Sequence, residues 1–256
     1  MSAAAVPLAA AREGGILTLT LNRPDKRNAL SAALVEALHQ AFEAADLDGD
    51  VRVVVLTAAG KDFCAGADLQ ELLASADASA EANEAAALRL GSLFGCIRQL
   101  PKPVVAVVRG RALAGGAGLM TACDIVLAGA GAQVGYPEVL RGFVPAMVMA
   151  PLRRLVGEKA ALDLVLTGRL LGAAEAHAAG LVSRVVPDES LERVAGELAR
   201  GLASASGSAL ALTKGLFYQL DGQSFDQGIA LGARVNALVR QTPEFRDAIA
   251  RFLART

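Results

Sequence analysis

The sequence predicts a mixed α/β body of repeated ββα or βαβ units, followed by an all-helical C-terminal region. Short β-branched or alternating runs recur between stretches of helical spacing. The pattern turns to helix throughout after Asp188, and 54% of the 256 residues are hydrophobic, enough for a large core. The change near residue 188 is the one candidate boundary, dividing a core (1–187) from a helical region (188–256).

The chain opens on Met1–Ala11, which lacks Lys and Arg; it reads as a frayed, Ala-rich tail and not as a signal peptide. Ile16–Leu21 alternates apolar residues with Thr, a strand ended by the turn residues Asn22-Arg23-Pro24-Asp25. Ser31 is placed to cap a helix whose Leu34, Leu38 and Phe42 fall on one face. Val51–Thr57 is a buried strand, and Leu69–Leu73 begins a second helix. Ser75–Glu84 is small and polar, the segment expected to be mobile, and Leu88–Leu100 is helical up to Pro101. Pro103–Gly110 is a third strand, followed by the Gly-rich Ala114–Gly118 and an apolar helix toward Ala122. Cys123–Ala128 and Leu181–Val186 complete the strands, and Thr242-Pro243 caps a final helix, Glu244–Arg255. A helical tail that cannot close its own core is expected to dock on the body or on another subunit.

Charge and motif content exclude several functions. With 25 Lys+Arg against 26 Asp+Glu there is no basic excess, and with 4% aromatics and no Trp there is little to stack on bases, so no nucleic-acid partner is expected. Mean hydropathy is +0.42, yet Val104–Met120 is broken by Arg109 and Arg111, and Phe143–Leu152 by Pro145 and Pro151. Neither stretch reaches the ~20 apolar residues of a membrane span. Cys64, Cys96 and Cys123 read as buried free thiols of a cytoplasmic protein. His39 and His177 stand apart and no CxxC occurs, so no metal site is expected. There is no G-x-S-x-G elbow. Gly110–Gly115 has P-loop spacing, but Gly116 stands where that loop needs Lys. Gly116–Thr121 is a dinucleotide fingerprint ending in Thr, and Glu138 at a ribose-contact offset keeps an NAD-linked enzyme as an alternative.

Two segments of small residues follow strands: Cys64-Ala-Gly-Ala-Asp-Leu69 and Leu113-Ala-Gly-Gly-Ala-Gly118. Backbone N–H groups at such helix starts are free to donate to an anion, and two side by side could hold one oxyanion. Taken singly, each is an ordinary tight turn. The residues Leu21-Asn-Arg-Pro-Asp-Lys-Arg-Asn-Ala-Leu30, Phe63-Cys-Ala-Gly-Ala-Asp-Leu69, Ala114-Gly-Gly-Ala-Gly-Leu119, Cys123-Asp124 and Gly135-Tyr-Pro-Glu138 occur in this order. With Leu166-Thr-Gly168 and Ala179-Gly-Leu-Val182, the set resembles the crotonase, or enoyl-CoA hydratase/isomerase, family over nearly the whole chain.

The resemblance implies a crotonase-like spiral of ββα units with a C-terminal helical trimerisation region. It also implies trimers or hexamers, acyl-CoA thioester substrates, and no cofactor beyond the coenzyme A of the substrate. Position by position, it puts the oxyanion hole on the N–H groups of Ala67 and Gly115 and the acid/base on Glu138. It puts CoA contacts at Lys26, Arg27 and Ala29 and along Ala65, Gly66, Asp68 and Leu69. The chain departs from the family at Gly118, where hydratases carry a second glutamate.

One carboxylate must then act as both base and acid. Val134, Tyr136, Val139, Leu140, Phe143 and Val144 surround Glu138 in sequence, and an apolar setting would raise its pKa. Hydration of a 2-enoyl-CoA is the favoured reaction, with Gly118 leaving space for the water. The alternatives are 3-enoyl- to 2-enoyl-CoA isomerisation and a non-catalytic acyl-CoA-binding protein. Pro145-Ala-Met-Val148 replaces a Gly-rich family loop, so Met147 and Met149 either reshape the acyl pocket or are core residues.

Overall fold

The computed structural model describes residues 6–254. It begins with a hairpin of β1 (Leu8–Glu13) and β2 (Ile16–Leu21), so the expected frayed tail is a paired strand over 8–11; its first five residues lie outside the described ones. Gly14 and Gly15, at φ 53° and 83°, supply the two left-handed residues of a tight hairpin turn. Five of the six β1 residues are exposed, so no alternation marked the strand. Arg12 ties it to the loop beyond the first helix through Asp48 (2.6 Å) and Asp50 (2.9 Å).

Helix α1 (Ala32–Leu47) starts at Ser31, whose Oγ accepts from Leu34 N at 3.2 Å, and it buries Leu34, Leu38 and Phe42. Then come β3 (Val53–Ala58), α2 (Leu69–Ala74), α3 (Ala80–Gln99), β4 (Val104–Val108), β5 (Arg111–Leu113), α4 (Gly115–Ala122), β6 (Ile125–Gly129) and β7 (Gln133–Gly135). Helix α3 begins well before Leu88, because Ser79 Oγ caps it at Ala82 N. Part of the segment expected to be mobile is therefore helical. The chain continues through α5 (Met149–Leu155), α6 (Glu158–Thr167), β8 (Leu170–Gly172), α7 (Ala173–Ala178) and β9 (Arg184–Val186). The helices α8 (Leu191–Ser204), α9 (Gly207–Gln219), α10 (Phe225–Val239) and α11 (Pro243–Leu253) complete it.

The main sheet runs β1-β2-β3-β4-β6-β9, parallel except for the opening hairpin, and a small sheet runs β5-β7-β8. Strands of three residues such as β5, β7 and β8 are too short to show a period, and the sequence left them unmarked.

The pleat of the main sheet sorts its residues. Val54, Leu56, Val104, Ala106 and Val108 face the main core with α1, α3 and α4. Their neighbours Val53, Val55, Val105 and Val107 face the other way, onto Leu191, Ala195 and Ala199 of α8. Burial on both faces accounts for the unbroken Val runs.

Helix α9 is fastened by one buried cluster. Lys214 Nζ lies 2.7 Å from Asp124 Oδ2 and donates to Ile97 O (2.8 Å) and Lys102 O (3.0 Å). Tyr218 Oη donates to Asp124 Oδ1 at 2.9 Å. Burial pushes the Lys214 ammonium below the usual lysine range, against the pull of Asp124. No described helix is long and apolar enough to cross a membrane.

Removing one member of a buried pair strands the other charge. Lys214→Ala is expected to destabilise the chain by about 3–5 kcal/mol, measured by urea unfolding. Replacing Asp124 with Leu as well takes the acceptor from Tyr218 Oη and from Val104 N, so the double variant should regain little of that loss.

Candidate functional site

Two loops meet on one buried side chain. Asn28 sits in the left-handed region at φ 54° and is fully buried. Its Oδ1 accepts from Arg23 N (2.8 Å), and its Nδ2 donates to Ala59 O (2.9 Å) and Asp62 O (2.8 Å). Arg23 adds a second tie, donating to Ala29 O at 2.6 Å and to Asp68 Oδ2 at 2.9 Å. Loop 22–30 is thereby laid along loop 59–68.

The contact ends in one rung of parallel ladder, where Leu30 N donates to Gly66 O (2.8 Å) and Asp68 N donates to Leu30 O (3.0 Å). In such a rung the intervening residue points its own N–H to the opposite side. The N–H of Ala67 therefore faces away from Leu30, and no described residue accepts from it.

On that side lies the start of α4. Ala114, at φ 52° and ψ −125°, is a strained residue of the kind that clusters at functional sites. Its N–H is held by Gly135 O at 2.9 Å. Gly115 follows as the first helical residue, with the free N–H of a helix start. Gly66, at φ 100°, lets the loops approach: a Cβ there would lie 2.8 Å from Ala114 Cβ and 3.7 Å from Gly115 N. A Cβ on Gly115 would lie 3.9 Å from Ala67 N. The two predicted N–H groups are neighbours, bordered by Leu30 and Leu90.

Glu138 lies on a single 3-10 turn, Pro137–Arg141, just beyond the strand that holds Ala114. It is 8% exposed, and its Oε2 is buried with no hydrogen-bond partner among the described residues. Burial raises its pKa, opposed by its own backbone N–H and by Arg141. The expected apolar setting is realised in part: Val134 and Tyr136 are buried, but Leu140, Phe143 and Val144 are 68%, 50% and 59% exposed. Leu140 turns outward against Gly168.

Gly118 corrects a further expectation. A Cβ there would meet Val148 Cγ1 at 2.5 Å and Phe94 Cζ at 2.7 Å. Apolar side chains fill the space expected for water. Met147 packs against α3 at Gly91 and joins the edge of the core.

Of the predicted CoA contacts, Lys26 is exposed and donates to Gln70 Oε1 at 3.3 Å, and Arg27 Nε lies 4.0 Å from Asp62 Oδ2. Ala29 and Ala65 are half-buried along the loop contact, and Ala65 N donates to Arg27 O at 3.0 Å. Leu69 is 60% exposed. Asp68 is not a free carboxylate: Oδ1 caps α2 at Gln70 N (3.1 Å), Oδ2 pairs with Arg23, and that guanidinium holds its pKa below the usual range. The sequence reading missed Arg23 and Asn28, whose Asn-after-turn placement was the available signal. His39 is a core residue whose Nε2 meets Arg89 O at 2.9 Å, and no described cluster of His, Cys, Asp and Glu could hold a metal.

The family model for enoyl-CoA hydratase/isomerase matches residues 11–256. The chain belongs to that family. A relative in Thermus thermophilus is 44% identical over 243 residues, covering 95% of this chain and 96% of its own. The 2,3-dehydroadipyl-CoA hydratase of Escherichia coli is 36% identical, over 97% of this chain and 96% of its own. The enoyl-CoA hydratase of Mycobacterium smegmatis superposes with a TM-score of 0.94 at 34% identity, over 97% and 96% of the two chains. The crotonase fold expected from the family resemblance is therefore the fold of this chain.

Family membership sharpens the meaning of Gly118. Gly118→Ala should gain about 1 kcal/mol of helix propensity and lose about 1–3 kcal/mol to overpacking against Phe94 and Val148. A lower Tm is expected by thermal unfolding, and Val148→Ala in the same chain, which removes the nearer of the two clashing groups, should make the further cost of Gly118→Ala smaller.

Proposed function

We propose that this chain is an enoyl-CoA hydratase acting through one carboxylate. The observation that carries the reading is Glu138 Oε2, buried and unpartnered beside the loop that brings the N–H groups of Ala67 and Gly115 together. The thioester oxygen binds those two donors as an oxyanion hole, where loss of one donor typically costs about 100- to 1,000-fold in rate. Glu138 takes a proton from water as the oxygen adds to C3, and the π electrons move onto the thioester oxygen. The enolate then takes the proton from Glu138 at C2, which restores the carboxylate. Lys26 and Arg27 are assigned to the CoA phosphates, and Ala29 with Ala65–Leu69 to the adenine and pantetheine path; there Asp68 shapes the loop through Arg23.

The hydratase names of relatives support hydration. The apolar filling over Gly118 favours a second reading, isomerisation of a 3-enoyl- to a 2-enoyl-CoA, in which Glu138 shuttles a proton between carbons and no water is needed. Homotrimers or hexamers are proposed as the working assembly, supported by the exposed Phe225, Ile229 and Phe252 of α10 and α11.

Crotonyl-CoA and 3-hexenoyl-CoA separate the readings. Loss of conjugated-thioester absorbance with the first is expected for hydration; its gain with the second alone would make the chain an isomerase. Silence on both, with CoA still bound, would make it a binding protein.

Glu138→Gln keeps the shape and removes the base, so turnover should vanish while folding and CoA binding persist. Survival within about tenfold, or roughly 1.4 kcal/mol, would exclude Glu138 as the acid/base.

The base must be ionised in the free enzyme. Because burial raises its pKa, kcat/KM should fall with acidification at a higher pH than for an ordinary carboxylate. A pH profile whose acid limb sits at the ordinary carboxylate range would contradict this.

A further inference from the structure

The Ala67 N–H can serve the reaction only if its direction is fixed, and that direction is set from outside its own loop. Ala67 lies between Gly66, whose O accepts from Leu30 N at 2.8 Å, and Asp68, whose N donates to Leu30 O at 3.0 Å. Whatever places Leu30 against loop 59–68 therefore places the donor. Loop 59–68 is in turn paired with β5, the strand that leads into Ala114 and Gly115. Cys64 N donates to Arg111 O at 3.0 Å, Leu113 N to Cys64 O at 2.9 Å, and Arg111 N to Asp62 Oδ1 at 3.1 Å. A Leu30 that drifted would move Ala67 relative to Gly115.

Position 28 makes three demands at once. The backbone is left-handed, at φ 54°. One acceptor must face Arg23 N, and two hydrogens must face Ala59 O and Asp62 O. Gly meets the first demand alone. Asp meets the first two and has no hydrogen to give, whereas Asn meets all three. The side chain is fully buried and both of its hydrogens are committed, so it has no donor left for a ligand. Arg23, whose N–H it holds, carries the tie onward from Ala29 O to the Asp68 carboxylate.

We propose that Asn28 is a positioning residue: its clamp fixes the spacing of the Ala67 and Gly115 N–H groups, and so sets how strongly they polarise a bound thioester carbonyl. Asn28 touches neither substrate nor reacting atom and acts through the Ala67 peptide. The inference rests on reading those two groups as oxyanion donors, and it holds for hydration and isomerisation alike.

The test reads the carbonyl directly. Butyryl-CoA carrying carbon-13 at the thioester carbonyl has no double bond to hydrate, and its infrared C=O stretch reports the pull of the donors. In the wild type the stretch should move to lower frequency on binding. Asn28→Gly keeps the left-handed backbone and removes the clamp. Asn28→Asp keeps the acceptor for Arg23 N and loses both hydrogens. Each should lose most of the frequency shift and cut kcat at saturation by at least about tenfold, on whichever of crotonyl-CoA and 3-hexenoyl-CoA the wild type turns over. The signal comes from bound ligand, so only folded chain contributes to it. A shift equal to that of the wild type in the variants, or kcat within about tenfold, would overturn the proposal. Failure of both variants to fold would also overturn it, since Asn28 would then serve the fold and not the donor. A wild type that binds butyryl-CoA with no shift would overturn the oxyanion reading itself. That failure shows before any substitution, so the two are told apart.

Discussion

The three hydrogen bonds of the Asn28 side chain hold together the two loops that set the Ala67 N–H. A left-handed, fully buried amide between two loops cannot be replaced by a backbone contact, because it accepts from one loop end and donates twice to the other. With that clamp closed, Leu30 falls beside Gly66 and Asp68, and the single ladder rung between them dictates the direction of the Ala67 N–H. Arg23 repeats the constraint from the other side by joining Ala29 O to the Asp68 carboxylate. The free donor at Ala67 follows from neighbouring groups having used the alternatives, since buried N–H groups are otherwise paired.

The same logic extends through the sheets. The start of α4 that offers the Gly115 N–H needs the strained Ala114, and that conformation is held by Gly135 O, on the strand whose continuation carries Glu138. The Gly115 donor and the carboxylate are therefore set by one short sheet, and the Ala67 donor by the two clamped loops. Behind it, the main sheet is covered on one face by α1, α3 and α4 and on the other by α8. Helix α9 adds its tie through Lys214 and Asp124. The candidate site thus rests on a scaffold buried from both sides, which keeps reacting groups within the small tolerances that catalysis needs.

What the sequence disclosed follows the range of each interaction. Ser31 capping Leu34 and the spacing of Leu34, Leu38 and Phe42 are local, and both were legible. The ordered motifs gave the crotonase fold that the family match and superposition bear out. Ala67 beside Gly115 was an expectation of that resemblance, and the backbone brings the two together. The first strand was illegible because five of its six residues are exposed, with no apolar alternation, and its order comes from pairing with β2. The early start of α3 had a signal, Ser79, masked by the polar composition around it. The content of the space at Gly118 was out of reach altogether, since Phe94 and Val148 come from distant parts of the chain. The Arg23 ties to Ala29 O and Asp68 were hidden for the same reason.

In the proposed reading, a single buried carboxylate beside two free N–H groups is sufficient for enolate chemistry, and that chemistry is common to hydration and isomerisation. The reactions diverge only in what occupies the space next to C3. An apolar filling at Gly118 removes one polar neighbour from that space and helps keep the local dielectric low. Low dielectric strengthens the hold of the N–H pair on developing negative charge and also raises the proton affinity of Glu138. Both effects favour moving a proton to and from carbon. Neither supplies a place for water, and that is where the two proposed reactions part.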